Sequence, residues 1–231
     1  MAVLQADLID LTHSWVMRIW LLLMGFLVVV TVANALSEGA PAEALSGLIG
    51  SFPLIWSIPI IIVSSGAVSS ETGVVADSIL SKAITRYEYI LAKMASRLIA
   101  NIGLYLVIVA PAAYIILQNT DGLDGNGIIW AILTIGMFIA LVTNLAVAFS
   151  TLFNRTLVAM IVTWVLWYAA GGIFSLLQSD YLSPIRIIEN LPDVLQGTYQ
   201  TSDQLRILAG FGIPALVVVL AASLYFARKD L

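Results

Sequence analysis

Cysteine is absent from the 231 residues. That excludes disulfides, thiolate chemistry and cysteine-based metal sites, and it leaves the redox compartment unread. Histidine occurs once, as His13, where an interfacial side chain is expected rather than a catalyst. Charge is scarce. Asp, Glu, Lys and Arg make up 10% of the chain, against about 25% in a soluble domain. Too little polar surface exists to cover a water-soluble globule. The net charge of −4 and the scattered basic residues leave no electrostatic footprint for nucleic acid. No G-x-x-x-x-G-K-[ST] phosphate loop is present, so ATP is not bound in that way. The N-terminus lacks a basic leader and carries Asp7 and Asp10, so it is not expected to be a signal peptide.

What the chain has instead is oil. Hydrophobic residues are 61% of the total and the mean hydropathy is +1.01, values of an integral membrane protein. Six runs are long enough to cross a hydrocarbon core of about 30 Å. They lie at about 15–36, 45–70, 86–117, 128–153, 157–177 and 205–226. The expected fold is an all-α polytopic membrane protein, with residues 1–231 forming one transmembrane domain. Before the first span, residues 2–14 mix apolar and polar side chains, which suits an interfacial helix or a plain extension of the span. Pro53 and Pro59 interrupt the second span and predict a kink. The small-residue run 64–70 at its end suits close helix contact and interhelical hydrogen bonds. The turn-rich loop 118–127 lacks the ligand series of a calcium loop and is read as turns. Residues 178–205 are mixed, with Ile187 and Leu191 in an apolar set. Short amphipathic or re-entrant helices are expected there, or a covering surface loop. Thr201 and Gln204 have capping-box spacing ahead of the last span. Even-numbered crossing puts both termini on one side. Eight basic residues fall on that side, against Arg186 and Arg206 on the other, which places the termini in the cytoplasm.

The stretch 71–97 is the longest charged interruption, and it holds Lys82, Arg86, Lys93 and Arg97. Val74, Val75, Ile79, Leu80 and Ile84 recur at helical spacings among polar residues, predicting a short amphipathic helix. Thr85 and Glu88 then form the S/T-x-x-E spacing of a capping box, so a new helix is expected from about Arg86. A helix from there to Gln118 would be about 50 Å long, more than the hydrocarbon core holds. Its first turns must stand outside that core.

The pattern Glu71-x-Gly73, Ile79-Leu80-Ser81-Lys82, Thr85-Arg86-Tyr87-Glu88-Tyr89 and Leu91-Ala92-Lys93 resembles the first cytoplasmic loop of ABC-2 type transporter permeases. The order of hydrophobic runs extends the resemblance over the whole chain. It implies that the stretch carries a coupling helix that docks on a separate ATP-binding subunit, with Glu71, Gly73, Val75, Ile79, Leu80, Lys82, Arg86 and Glu88 as coupling residues. It also implies an amphipathic connecting helix at the N-terminus and re-entrant helices before the last span. Partners follow from it: two copies of the ATP-binding subunit, which hold ATP and Mg, and a second permease copy or a related permease. No cofactor and no catalytic residue are expected in this chain itself. The alternative for 71–97 is an ordinary polar loop between membrane helices.

No Asp, Glu, Lys, Arg or His falls near the middle of any run. Ion-coupled transport and intramembrane catalysis rely on ionisable groups at depth, so the expected driving force lies outside the membrane. The weakly polar residues at depth are Asn34, Asn101, Thr143, Asn144 and Thr163. They line a passage or only join helices. The leading reading is a permease subunit in the cell (inner) membrane that exports a hydrophobic or amphiphilic substrate. The rivals are a secondary transporter or channel, and a membrane scaffold or sensor subunit.

Overall fold

The computed structural model describes residues 2–71 and 85–228. Among them the secondary structure is helical throughout, and six helical segments are long and apolar enough to span a membrane. The chain is a multi-pass membrane protein in design. Helix α1 (Ala2–His13) leads through Ser14 into α2 (Trp15–Glu38), which stops at Gly39 in a left-handed conformation, φ 67°. A glycine is the residue that takes this αL stop without strain. Helix α3 (Pro41–Leu54) starts on a proline, whose fixed φ and missing N–H suit the first turn.

The second span is two helices. Helix α3 ends at Leu54, and α4 (Ser57–Ser65) resumes after Ile55 and Trp56. The break falls between Pro53 and Pro59, each of which lacks a ladder donor and crowds the turn before it. The helical ladder ends at Ser65, short of the expected residue 70, and the chain continues through a turn into a short 3-10 segment, Ser69–Glu71.

Helix α5 (Arg86–Asn119) begins where the capping box places it. Thr85 Oγ1 accepts from Glu88 N at 3.2 Å, and Glu88 Oε2 accepts from Thr85 N at 2.9 Å. Its 34 residues exceed what a bilayer core needs. Helix α6 (Gly125–Leu152) is capped by Asp124, whose carboxylate accepts from Gly127 N at 2.8 Å. Helix α7 (Thr156–Leu176) follows after a tight turn. The segment expected to hold short helices holds two, α8 (Pro184–Glu189) and α9 (Leu191–Leu195). Helix α10 (Thr201–Arg228) closes the described chain. The second capping box does not form. The backbone is already turning at Gln200, whose carbonyl accepts from Gln204 N at 3.2 Å, and the Gln204 side chain reaches back to Tyr199 O.

Helix α6 is the axis of the bundle and packs against α3, α4, α5, α7, α9 and α10. Half of its most apolar stretch is buried within the chain, against 22% for α2. The remaining apolar surface of α2 faces outward, as lipid-facing surface does. The core interlocks through rings. Phe52 of α3 meets Tyr105 of α5 edge-on at 4.6 Å, and Phe138 of α6 lies 3.9 Å from Phe211 of α10. A second, smaller cluster sits at one end of the bundle and gathers Ala67, Val68, Tyr89, Ile90, Met94, Val147, Ala222 and Phe226.

Candidate functional site

That end of the bundle is also where the charged stretch enters and leaves. Gly73, Val75, Ile79, Leu80 and Lys82 lie outside the described residues, as does the amphipathic helix expected there. The backbone of Glu71 and the residues from Thr85 onward are described, and they show how the two ends are held.

The entering end is tied to α6 and α7. Val68 N and Ser69 N both donate to Ser150 Oγ at 2.9 Å, and Ser69 Oγ shares a hydrogen bond with Thr156 Oγ1 at 2.8 Å. Ser150 is 1% exposed. One buried hydroxyl thus accepts from two backbone donors left free where the helical ladder ends. The leaving end is tied to α10. Arg86 Nη1 donates to Ala227 O at 3.5 Å, and the Tyr89 and Phe226 rings stack at 5.6 Å. Glu88 is occupied by its capping box and faces solvent.

Two turns further along α5, the same end holds α1. Asp7 is 6% exposed. Its Oδ1 accepts from Lys93 Nζ at 2.8 Å and from Arg97 Nη2 at 3.0 Å, while Oδ2 accepts from the Ser96 hydroxyl. Lys93, Ser96 and Arg97 share one helical face because they are three and four residues apart. Sequence reading placed Asp7 among the polar residues of an interfacial helix and missed this cluster. A signal existed. Asp7 stands three residues after Leu4 and four before Leu11, on the apolar face, where a carboxylate needs a partner.

The deep polar residues separate into different roles. Asn101 is fully buried and its amide donates to Ser64 Oγ at 3.1 Å and Thr143 Oγ1 at 3.0 Å, joining α5 to α4 and α6. Asn144 donates to Ala215 O at 3.3 Å, joining α6 to α10. Thr163 returns its hydroxyl to Ala159 O within its own helix. Asn34 is exposed near the end of α2 and stands apart from the others. The structure therefore groups Asn101 with Thr143 and does not bring all five residues to one surface. The Asn101 and Asn144 side-chain oxygens, and Ser65 Oγ, have no hydrogen-bond partner among the described residues.

The opposite end is closed by α8 and α9. Ile187 and Leu191 are 3% and 1% exposed. Asp124 N donates to Leu195 O at 2.8 Å, which fastens α9 to the start of α6. Gly127 permits this approach, since a Cβ there would stand 2.1 Å from Val194 O. Tyr199, beside this cap, has its phenol pushed up by burial and by the negative charge of Asp203 and its neighbours.

The fold defines a class, a six-span helical membrane protein. Compared with known proteins, the chain matches no protein-family model and no curated protein.

Proposed function

We propose that this chain is the membrane-spanning permease subunit of an ATP-driven transporter of the ABC-2 type, exporting a hydrophobic or amphiphilic substrate. In this reading the termini and residues 71–88 face the cytoplasm of a cell (inner) membrane. Two permease chains form the pathway, and two copies of a separate ATP-binding subunit hydrolyse ATP with Mg.

The observation that supports the reading most is the anchorage of the charged stretch. Its ends are tied to α6 and α7 through Ser150 and Thr156, to α10 through Ala227 and Phe226, and, by way of α5, to α1 through Asp7. A push on 71–85 is therefore shared among most of the helices at that end. On the sequence pattern, Val75, Ile79 and Leu80 supply an apolar stripe for the partner, and Glu71, Lys82 and Arg86 supply charge around it. Burying one aliphatic side chain contributes roughly 1.5–3 kcal/mol, and an exposed ion pair about 0–1 kcal/mol. The apolar residues hold the complex and the charges set its register.

The test is co-purification with the ATP-binding subunit, together with ATPase activity in reconstituted vesicles. Ile79→Asp should detach the subunit or uncouple hydrolysis while the permease still inserts. Arg86→Ala should leave assembly nearly intact. Retention of both assembly and activity in Ile79→Asp would remove this stretch as the coupling element.

A further inference from the structure

A groove of about 690 Å³ runs along the outside of the bundle between α1, α2 and α5. That size is within the range of sites that enclose a small ligand. Leu11 and Leu104 form a buried floor, whereas Leu22 and Val107 are 71% and 68% exposed. The groove therefore opens sideways, on surface too apolar to face water.

One full charge lines it, Arg18. Arg18 is exposed, and its side chain makes no ion pair or hydrogen bond among the described residues. The other cations of this region, Lys93 and Arg97, are bound to Asp7. Arg18 stands in the first turn of α2, next to the junction with α1. Leu22 lies about 6 Å farther along the helix axis, at about 1.5 Å per residue. The charge is thus at the shallow end of the groove, at the depth of a headgroup, and the apolar walls continue into the hydrocarbon. A cation with no counter-ion among the described residues, at the mouth of an apolar lateral groove, complements an amphiphile with the reverse arrangement: an anionic head and a hydrocarbon tail.

We propose that this groove holds one anionic glycerophospholipid, with its phosphate on Arg18 and an acyl chain along Leu21, Leu22, Gly103 and Val107. This requires only that the chain is embedded in a bilayer and does not depend on the transporter reading. Gly103 offers a clean way to block the tail track. A Cβ built on it meets nothing within 4 Å, so a larger side chain enters the groove and not the protein. Losing a glycine from a helix interior also favours the helix.

The experiment is native mass spectrometry of the purified full chain in detergent. It is titrated with phosphatidylglycerol, with phosphatidylcholine of the same acyl chains, and with glycerol 3-phosphate as the head without tails. The unmodified chain should retain phosphatidylglycerol about fivefold more tightly than phosphatidylcholine, the factor expected for one basic residue at an anionic lipid. Arg18→Gln should abolish that preference and leave phosphatidylcholine binding unchanged. Gly103→Leu should weaken both lipids, with the elution profile of the unmodified chain. Equal retention of the two lipids by the unmodified chain overturns the proposal, as does a preference that survives Arg18→Gln. Glycerol 3-phosphate binding as tightly as the lipid reassigns Arg18 to a free-phosphate site. A change of oligomeric state in Gly103→Leu, with lipid binding intact, assigns the groove to a second copy of the chain.

Discussion

Asp7 Oδ1 accepts a hydrogen bond from Lys93 Nζ at 2.8 Å, across 86 positions of sequence. It converts the first helix from a segment resting at an interface into one bolted to the longest helix of the bundle. Three donors surround one carboxylate, so loss of the carboxylate strands two cations, while loss of one cation leaves Asp7 still paired. Removing one partner of a buried pair costs about 3–5 kcal/mol. Asp7→Ala should destabilise at the lower end of that range and should expose residues 2–13 to rapid hydrogen exchange. Lys93→Met should cost markedly less and keep α1 protected. Equal exchange of α1 in the unmodified chain and in Asp7→Ala would show that the contact does not hold the helix.

Asn101 separates packing from passage. Interhelical hydrogen bonds in membrane proteins average about 0.6 kcal/mol and reach about 1.7 kcal/mol. Asn101→Ala removes two of them, to Ser64 and Thr143, so it should lower stability by about 1–2 kcal/mol. On the permease reading, if its only role is to join helices, transport scaled to the amount of folded protein should stay unchanged. A larger loss of transport would show that the residue also meets the substrate.

Two glycines under the α8–α9 cap should respond differently to the same added methyl. At Gly127 the new Cβ meets the Val194 carbonyl oxygen, which is backbone. At Gly50 it meets Ile188 Cγ2 at 2.7 Å, a methyl on a stiff, β-branched side chain, which yields only by a small shift of the six-residue α8. Gly127→Ala should therefore cost about 3 kcal/mol and Gly50→Ala about 1–2 kcal/mol, on the scale of overpacking effects. Hydrogen exchange across 184–195 reads the difference directly. Loss of protection should appear with Gly127→Ala and stay small with Gly50→Ala.

Orientation is open to a simple test because the chain has no cysteine. A cysteine at Asp121 should react with an impermeant thiol reagent added outside intact cells, and one at Ser81 should be shielded. The reverse pattern would invert the topology and place the 71–88 stretch on the wrong side for an ATP-binding partner.

The spans were legible because each is a long apolar run between turn chemistry, and the start of α5 because Thr85 and Glu88 carry a purely local signal. Tertiary packing was not legible by the same means. Nothing in the spacing of Ser150 marks it as the acceptor for Val68 and Ser69, because that contact depends on how α4 and α6 approach. The last span misled in the opposite direction. Thr201 and Gln204 have capping-box spacing, but the helix starts a residue before the cap geometry allows. The five deep polar residues were visible as a set, while their division into linked and separate positions depended on helix rotation.

The break in the second span lies midway along it, and hydrocarbon holds no water to satisfy a free carbonyl. Its neighbour answers for it. Trp167 Nε1 donates to Pro53 O at 3.0 Å and the Tyr168 hydroxyl donates to Leu54 O. Lipid offers no substitute donors, and an unsatisfied backbone group in hydrocarbon costs several kcal/mol. Helix α7 is thus a splint across a fracture. The two pieces of the second span cannot slide past it without stripping the Pro53 carbonyl and leaving Leu54 O to the Ser57 hydroxyl alone, at 2.6 Å. Through these two carbonyls α3, α4 and α7 are held as a single plank.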